Sequence, residues 1–230
     1  FAHSGFVEPT RRFCEEIQRA GVDPSYHAST LFHLRDNLCA LMINHEYDVS
    51  PLNERDVTKA TVRGRAEVHR VIEALRALGG PWRELLLVAT PEQIGTREGR
   101  RIHGRYTVTA DDMRVGARHK DAVCRVSYWI DIHSTDPAKG RGFEEEPFKT
   151  QHYDIPYRAL LSRDCDNLLM AGRCISGDFL SHSSYRVTGV AVALGQAAGA
   201  AGAIASAKGI LAHEVATDEI HSKLKRIFRD

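Results

Sequence analysis

No GxGxxG run follows a strand and opens a helix anywhere in the 230 residues, so the usual turn that cradles a dinucleotide pyrophosphate is missing. The sequence also has no P-loop, no HExxH and no GxSxG, which leaves nucleotide hydrolysis, zinc proteolysis and nucleophile-elbow chemistry without support. The five cysteines (Cys14, Cys39, Cys124, Cys165 and Cys174) form no CxxC and no metal-ligand spacing. An odd, unpatterned set points to reduced thiols and a cytoplasmic setting, and no metal is expected. No charged stretch followed by an apolar one opens the chain as a signal peptide would. Charge is close to balanced, 31 basic against 30 acidic residues, so no global field draws nucleic acid or anionic lipid. Aromatics are 7% of the chain, too few to interleave with the arginines as a stacking platform for single-stranded nucleic acid.

What the chain does have is one organising stretch from Asn167 to Gly209. Leu168-Leu169-Met170-Ala171 is a short apolar run that stops at Gly172, as a fully buried strand would. Val187 to Ala207 carries no charge and is dense in Ala and Gly. Between them a polar loop holds Arg173, Ser176, Asp178, His182, Ser183, Ser184 and Arg186. Strand, polar loop and small-residue helix together bring a helix N-terminus to something electron-rich. The helix is long enough for a bilayer, with Gly195 and Gly199 in a GxxxG, but strongly apolar side chains are few, so no membrane partner is expected. A buried core helix and a helix whose first turn touches a cofactor are compatible readings, and both are kept.

Elsewhere, Phe6–Ala20 has helical spacing and stops at Gly21. His27–Ile43 fits a helix or a strand equally well. Asn44–Arg55 reads as a loop, and Asp56 as the N-cap of a helix through Leu78 that Gly79-Gly80 end. Strands are expected at Leu85–Val88, Ile102–Val108, Val123–Ile132 and Ile155–Leu161, with a capped turn at Thr109–Asp112. Ser134–Thr150 reads as a long loop, either functional or a solvated insertion. Thr217–Arg229 reads as an amphipathic terminal helix. The mixture is α/β.

Four blocks in order carry a resemblance: IGTREGRRIHGRYTVTADDM from Ile94, WIDIH from Trp129, YDIPYR from Tyr153, and NLLMAGRCIS followed by RVTGVAVALGQAAG. Together they resemble the FAD-dependent oxidoreductase family, whose RESRR is here Arg97-Glu98-Gly99-Arg100-Arg101. The resemblance implies FAD as cofactor and a two-domain flavoprotein. A mixed-sheet substrate domain would span residues 1–160, and a strand-loop-helix over 161–230 would close the FAD-binding domain. The family's phosphate cradle lies ahead of these blocks. The chain, which begins at Phe1, is therefore expected to be the C-terminal portion of a longer flavoprotein or a subunit whose partner carries the cradle. The reaction implied is hydride transfer from a small-molecule substrate to flavin N5. The alternative is a non-catalytic subunit or interaction module that keeps the domain without the chemistry.

The residues then acquire roles. Reduction places negative charge near flavin N1 and the C2 carbonyl, and a helix N-terminus meets it with free N–H groups. That contact is worth at most about 2 kcal/mol, or about 40 mV for a two-electron couple, so it tunes a potential and fixes an orientation. Thr188, Gly189 and Val190 are the candidate donors, unless Gly189 serves only tight packing. Gly172, Arg173, Ser176, Asp178 and Arg186 complete the cofactor-binding set, with a structural ion pair of Arg173 to Asp178 or Asp166 as the alternative. Oxidising a carbinol needs a base, and His133, His182 and Tyr153 are the catalytic candidates, each with a structural role as its rival. Arg101 and Arg158 are the substrate-binding candidates, because guanidinium forks suit a carboxylate or phosphate. His133 and His182 are the two conceivable sites of covalent flavin attachment.

Overall fold

The computed structural model describes residues 4–138, 140–142 and 144–227, with side chains from residue 8 onward. By internal contacts the chain divides into two compact units, residues 1–96 with 133–144, and residues 97–132 with 145–230. No unit boundary falls at the expected residue 160.

In the first unit, helix α1 (Ser4–Arg19) ends at Gly21, whose φ of +89° suits a residue without Cβ. The ambiguous stretch after it is an antiparallel hairpin, β1 (Thr30–Arg35) with β2 (Leu38–Met42), turned at Asp36 with φ +47°. Helix α2 (Glu54–Leu78) follows, and its cap is Asn53 rather than Asp56: Asn53 Oδ1 accepts the Arg55 N–H at 3.0 Å. Asp56 sits inside the first turn, where its charge still complements the helix dipole. Ile17, Ile43, Val71 and Leu75 form this unit's core, with Phe13, Val68 and Trp82 against it. Glu67 of α2 is buried and ties the hairpin down. It accepts from Ser25 N at 2.6 Å, Ser25 Oγ at 2.7 Å and Asn44 Nδ2. The strand expected at Leu85–Val88 does not form. Arg76 Nε takes the Leu85 carbonyl, and Leu86 and Val88 stand 72% and 73% exposed.

In the second unit, α3 (Ala110–Val115) starts from a reciprocal cap between Thr109 and Asp112, as its sequence requires. Strands β3 (Ala122–Val126) and β4 (Tyr153–Pro156) pair antiparallel. Helices α4 (Phe179–Tyr185), α5 (Thr188–Lys208) and α6 (Thr217–Ile227) complete it. Three expected strands are shortened or lost because their amides go to scattered partners. Ile102, Arg105, Tyr106 and Val108 donate to Cys174, Leu161, Arg158 and Ser176 in turn, which gives isolated bridges and no ladder. Past Val126 the carbonyls of Tyr128 and Asp131 are taken by Ser184 Oγ and Arg186 Nη2, side chains instead of a strand. Past Pro156 the chain coils into the turn Tyr157–Ala159. Leu168–Ala171 is likewise no buried strand: it pairs with residues 160–162 through Ser162 N to Leu168 O and Met170 N to Leu160 O, and Leu168 is 40% exposed.

Helix α5 carries the packing. Leu194, Ala197, Ala200, Ala201 and Ile204 are buried in a core shared with Val108, Met113, Ile155, Leu160, Ile175 and Tyr185. Small side chains let neighbours come close; a Cβ built on Gly202 would lie 3.9 Å from Leu169 Cδ1. On the opposite side Thr188, Val192, Gly195, Gln196 and Gly199 are exposed. Among the described residues α5 is the one helix long and apolar enough to cross a membrane.

Candidate active site

The polar loop of the sequence folds into two short pieces ahead of α5. The turn Gly172–Cys174 needs Gly172 at φ +68°, and a Cβ there would touch Ala191 Cβ at 3.4 Å, so the turn lies against the first turn of α5. Helix α5 begins at Val187 with no side-chain cap, and Thr188 and Gly189 are exposed with open space beside Gly189. Its first N–H groups therefore have no partner within the helix and no capping side chain. Val190, one position on, is buried. This end fits a flavin: an uncapped positive helix end, open to approach, beside a glycine turn.

Other candidates are committed to the scaffold. Asp178 caps α4, with Oδ1 accepting Ser181 N and Oδ2 accepting Ala110 N, both at 2.7 Å. Those bonds fasten α3 to α4 and engage each carboxylate oxygen once. Ser176 Oγ bonds Thr107 Oγ1 at 2.9 Å and is buried. Tyr153 is wholly buried, with its hydroxyl donating to Ser184 Oγ at 3.1 Å, and Ser184 Oγ passes a bond to Tyr128 O at 2.7 Å. Burial pushes the Tyr153 phenol far above its ordinary value. Arg158 pairs with Asp121 at 2.9 Å and lies over the Tyr106 ring.

His182 differs from all of these. It lies on α4 with 0% exposure, and neither ring nitrogen has a hydrogen-bond partner among the described residues. Leaving a buried donor and acceptor unmatched costs about 1–3 kcal/mol per group, so such a residue is held there against a penalty. Its ring edge meets Tyr185 at 5.5 Å. Burial first, then the Arg101 and Arg186 charges, bring its pKa down to about 4. The ring is thus neutral at pH 7, one nitrogen a donor and the other an acceptor.

Around it the structure gathers residues far apart in sequence. Arg186 Nη2 donates to the Asp131 carbonyl at 2.6 Å, while Arg97 lies 3.7 Å from the Asp131 carboxylate. Burial pulls the Arg186 guanidinium below its ordinary value, with Asp131 acting the other way. Arg101 pairs with Glu98 at 2.6 Å. Ile102 N donates to Cys174 O at 3.0 Å, which lays the Arg101 segment along the turn that bears Arg173. His182, Arg101, Arg173 and Arg186 are thus brought together. His133 belongs to the first unit, where its ring meets His45 at 4.8 Å and Tyr26 at 5.9 Å. Sequence reasoning missed the Tyr153–Ser184–Tyr128 chain and the bond from Arg186 to Asp131, because neither has a local spacing to betray it. Among the described residues no cluster of His, Cys, Asp and Glu could hold a metal, and all five cysteines are unpaired.

No curated protein and no solved structure matches this chain. The FAD dependent oxidoreductase family model matches residues 6–224, nearly the whole length, and agrees with the open end of α5 and the glycine turn beside it. The chain belongs to the FAD-dependent oxidoreductase family and depends on FAD.

Proposed function

We propose that this chain carries the ring-facing part of a flavoenzyme that oxidises a small molecule. Residues 161–230 would serve the cofactor and the earlier residues the substrate. Bound FAD would supply the electron acceptor, taking hydride at N5. Gly172, Arg173, Thr188, Gly189 and Val190 would hold the ring end, with the α5 amides facing its electron-rich edge. Arg186, bonded to Asp131 O, would fix the loop between α4 and α5. His182 would take the substrate hydroxyl proton on its free ring nitrogen, since a neutral imidazole has a lone pair for it. Its second nitrogen keeps an N–H to orient the same group. A pyrophosphate cradle from another segment or subunit, and a cytoplasmic setting in keeping with the unpaired cysteines, belong to the same proposal.

The observation that carries this reading is a buried histidine on α4 with two unmatched nitrogens, followed directly in the chain by the uncapped, open end of α5. The test is anaerobic mixing of the FAD-loaded protein with a panel of alcohols and hydroxy acids, followed by flavin absorbance. Bleaching by at least one compound, slowed a hundredfold or more in His182→Gln, is expected. Flavin that binds and is never reduced by any of them would favour the non-catalytic reading.

A further inference from the structure

We infer that the outer edge of β2 is a self-association surface, on which two copies of this chain pair antiparallel into a four-stranded sheet. The inference concerns the first unit and is independent of the flavoenzyme reading. Among the described residues the hairpin is a sheet of two strands, and no third strand meets either edge. An isolated two-stranded hairpin is marginal in water, and three or more strands are the usual stable unit. Leu38 to Met42 bear no charge and no proline, the devices that ordinarily blunt an open edge. They also make no backbone hydrogen bond outside the hairpin among the described residues. Strand β1, by contrast, carries His33 and Arg35, its ladder is irregular between them, and α1 packs beside it.

The same hairpin is apolar on one face. Phe32 lies opposite Ala40 and Thr30 opposite Met42, and Leu38 shares their face through the two-residue period. Phe32, Leu38 and Met42 are 38%, 40% and 43% exposed, and Leu34, at the irregularity, is 58% exposed. A second copy fits this edge by register. A two-fold axis through Ala40 sets Leu38 of each copy against Met42 of the other, with a small side chain at the axis and no charge opposed to another. Such a pair leaves only the two β1 edges outward. Their charge, irregularity and flanking helix stop further growth, so the product is a closed dimer and not a fibre. The exposed side chains offer on the order of 400 Å² per copy, about half of the ~800 Å² per partner in a standard interface, so the dimer is reversible, with Kd on the order of 50 µM.

Sedimentation velocity on the 230-residue chain between about 5 and 500 µM brackets that Kd and tests the inference. A reversible monomer–dimer boundary is expected. Met42→Lys places a charge on the apolar face and is expected to weaken the dimer tenfold or more, while Val62→Lys, at an exposed position of α2, leaves it within twofold. Register is read by disulfide trapping in a background without the exposed thiols, Cys39→Ser with Cys165→Ser. Residues directly opposed on antiparallel strands have Cα atoms about 4.5–5.5 Å apart, inside disulfide range, so Ala40→Cys is expected to give a covalent dimer. Leu38→Cys sets the two thiols four residues out of register, about 14 Å along the strand, and is expected to cross-link at least tenfold more slowly. A monomer at every concentration, a dimer indifferent to Met42→Lys, equal trapping at both positions, or growth beyond two copies would overturn the inference.

Discussion

Lowering the pH from 7 to 5 probes the surroundings of His182 directly. The folded chain holds this imidazole at about 4, against its ordinary 6.5. Between those values the unfolded chain binds a proton that the folded chain refuses, so stability falls as the pH falls through that window. Each pH unit is worth about 1.4 kcal/mol, so the deficit at pH 5 is about 2 kcal/mol and approaches about 3 kcal/mol near pH 4. Above pH 7 the residue contributes no slope. Urea unfolding curves at pH 7, 6 and 5 measure this, compared with His182→Phe, which keeps a ring in the pocket and cannot titrate. The absolute stability of the variant depends on packing, so the comparison is of slopes, and the wild type is expected to lose about 2 kcal/mol more than the variant over the interval. Parallel curves, or an imidazole that titrates near 6.5 by NMR, would refute the burial and arginine argument together.

Other substitutions probe the scaffold. A Cβ on Gly177 would lie 2.5 Å from the buried Tyr185 ring and 2.9 Å from Ser181 Oγ, so Gly177→Ala is expected to cost about 1–3 kcal/mol in denaturant titration. In the first unit, Glu67→Leu leaves the Ser25 N–H and hydroxyl without their acceptor and is expected to cost about 1–3 kcal/mol; full stability would show that Glu67 is not the tie. Burial pushes the Asp154 carboxyl up, but bonds from Arg118 and Arg125 and from the His119 N–H outweigh it and hold it below its ordinary 3.8. Its stabilisation is present above that value and lost as pH falls through the lower folded one. With both arginines half exposed and screened, Asp154→Asn is expected to cost about 1 kcal/mol at pH 7, a difference that vanishes in acid.

Much of the local structure was legible in the sequence. The 3.6-residue period of Val68, Val71, Ile72 and Leu75 marks α2, and Thr109 with Asp112 marks the cap of α3. The uncharged Ala/Gly run marks α5 to within a residue at each end. Gly21, Gly79 and Gly209 end helices with positive φ, where an L side chain would be strained. Caps and periods depend on residues within one or two turns, so local order carries most of them, although Asn53 and not Asp56 caps α2.

The site was legible only as a set of names. The sequence offers Asp178 as a ribityl acceptor or as an ion-pair partner of Arg173, and only the fold shows its carboxylate capping α4 at Ser181 N and bonding Ala110 N, the latter 68 residues away. The strands expected from alternation at 102–108 and 123–132 shrink because a ladder needs a neighbour at the right spacing, and the fold supplies scattered carbonyls and side chains instead. Arg101 acts on His182 only through the fold, where Ile102 N bonds the Cys174 carbonyl. Charge, burial and unmatched nitrogens at His182 are properties of that convergence. A sequence fixes which groups are available, while long-range packing decides which of them are left without a partner.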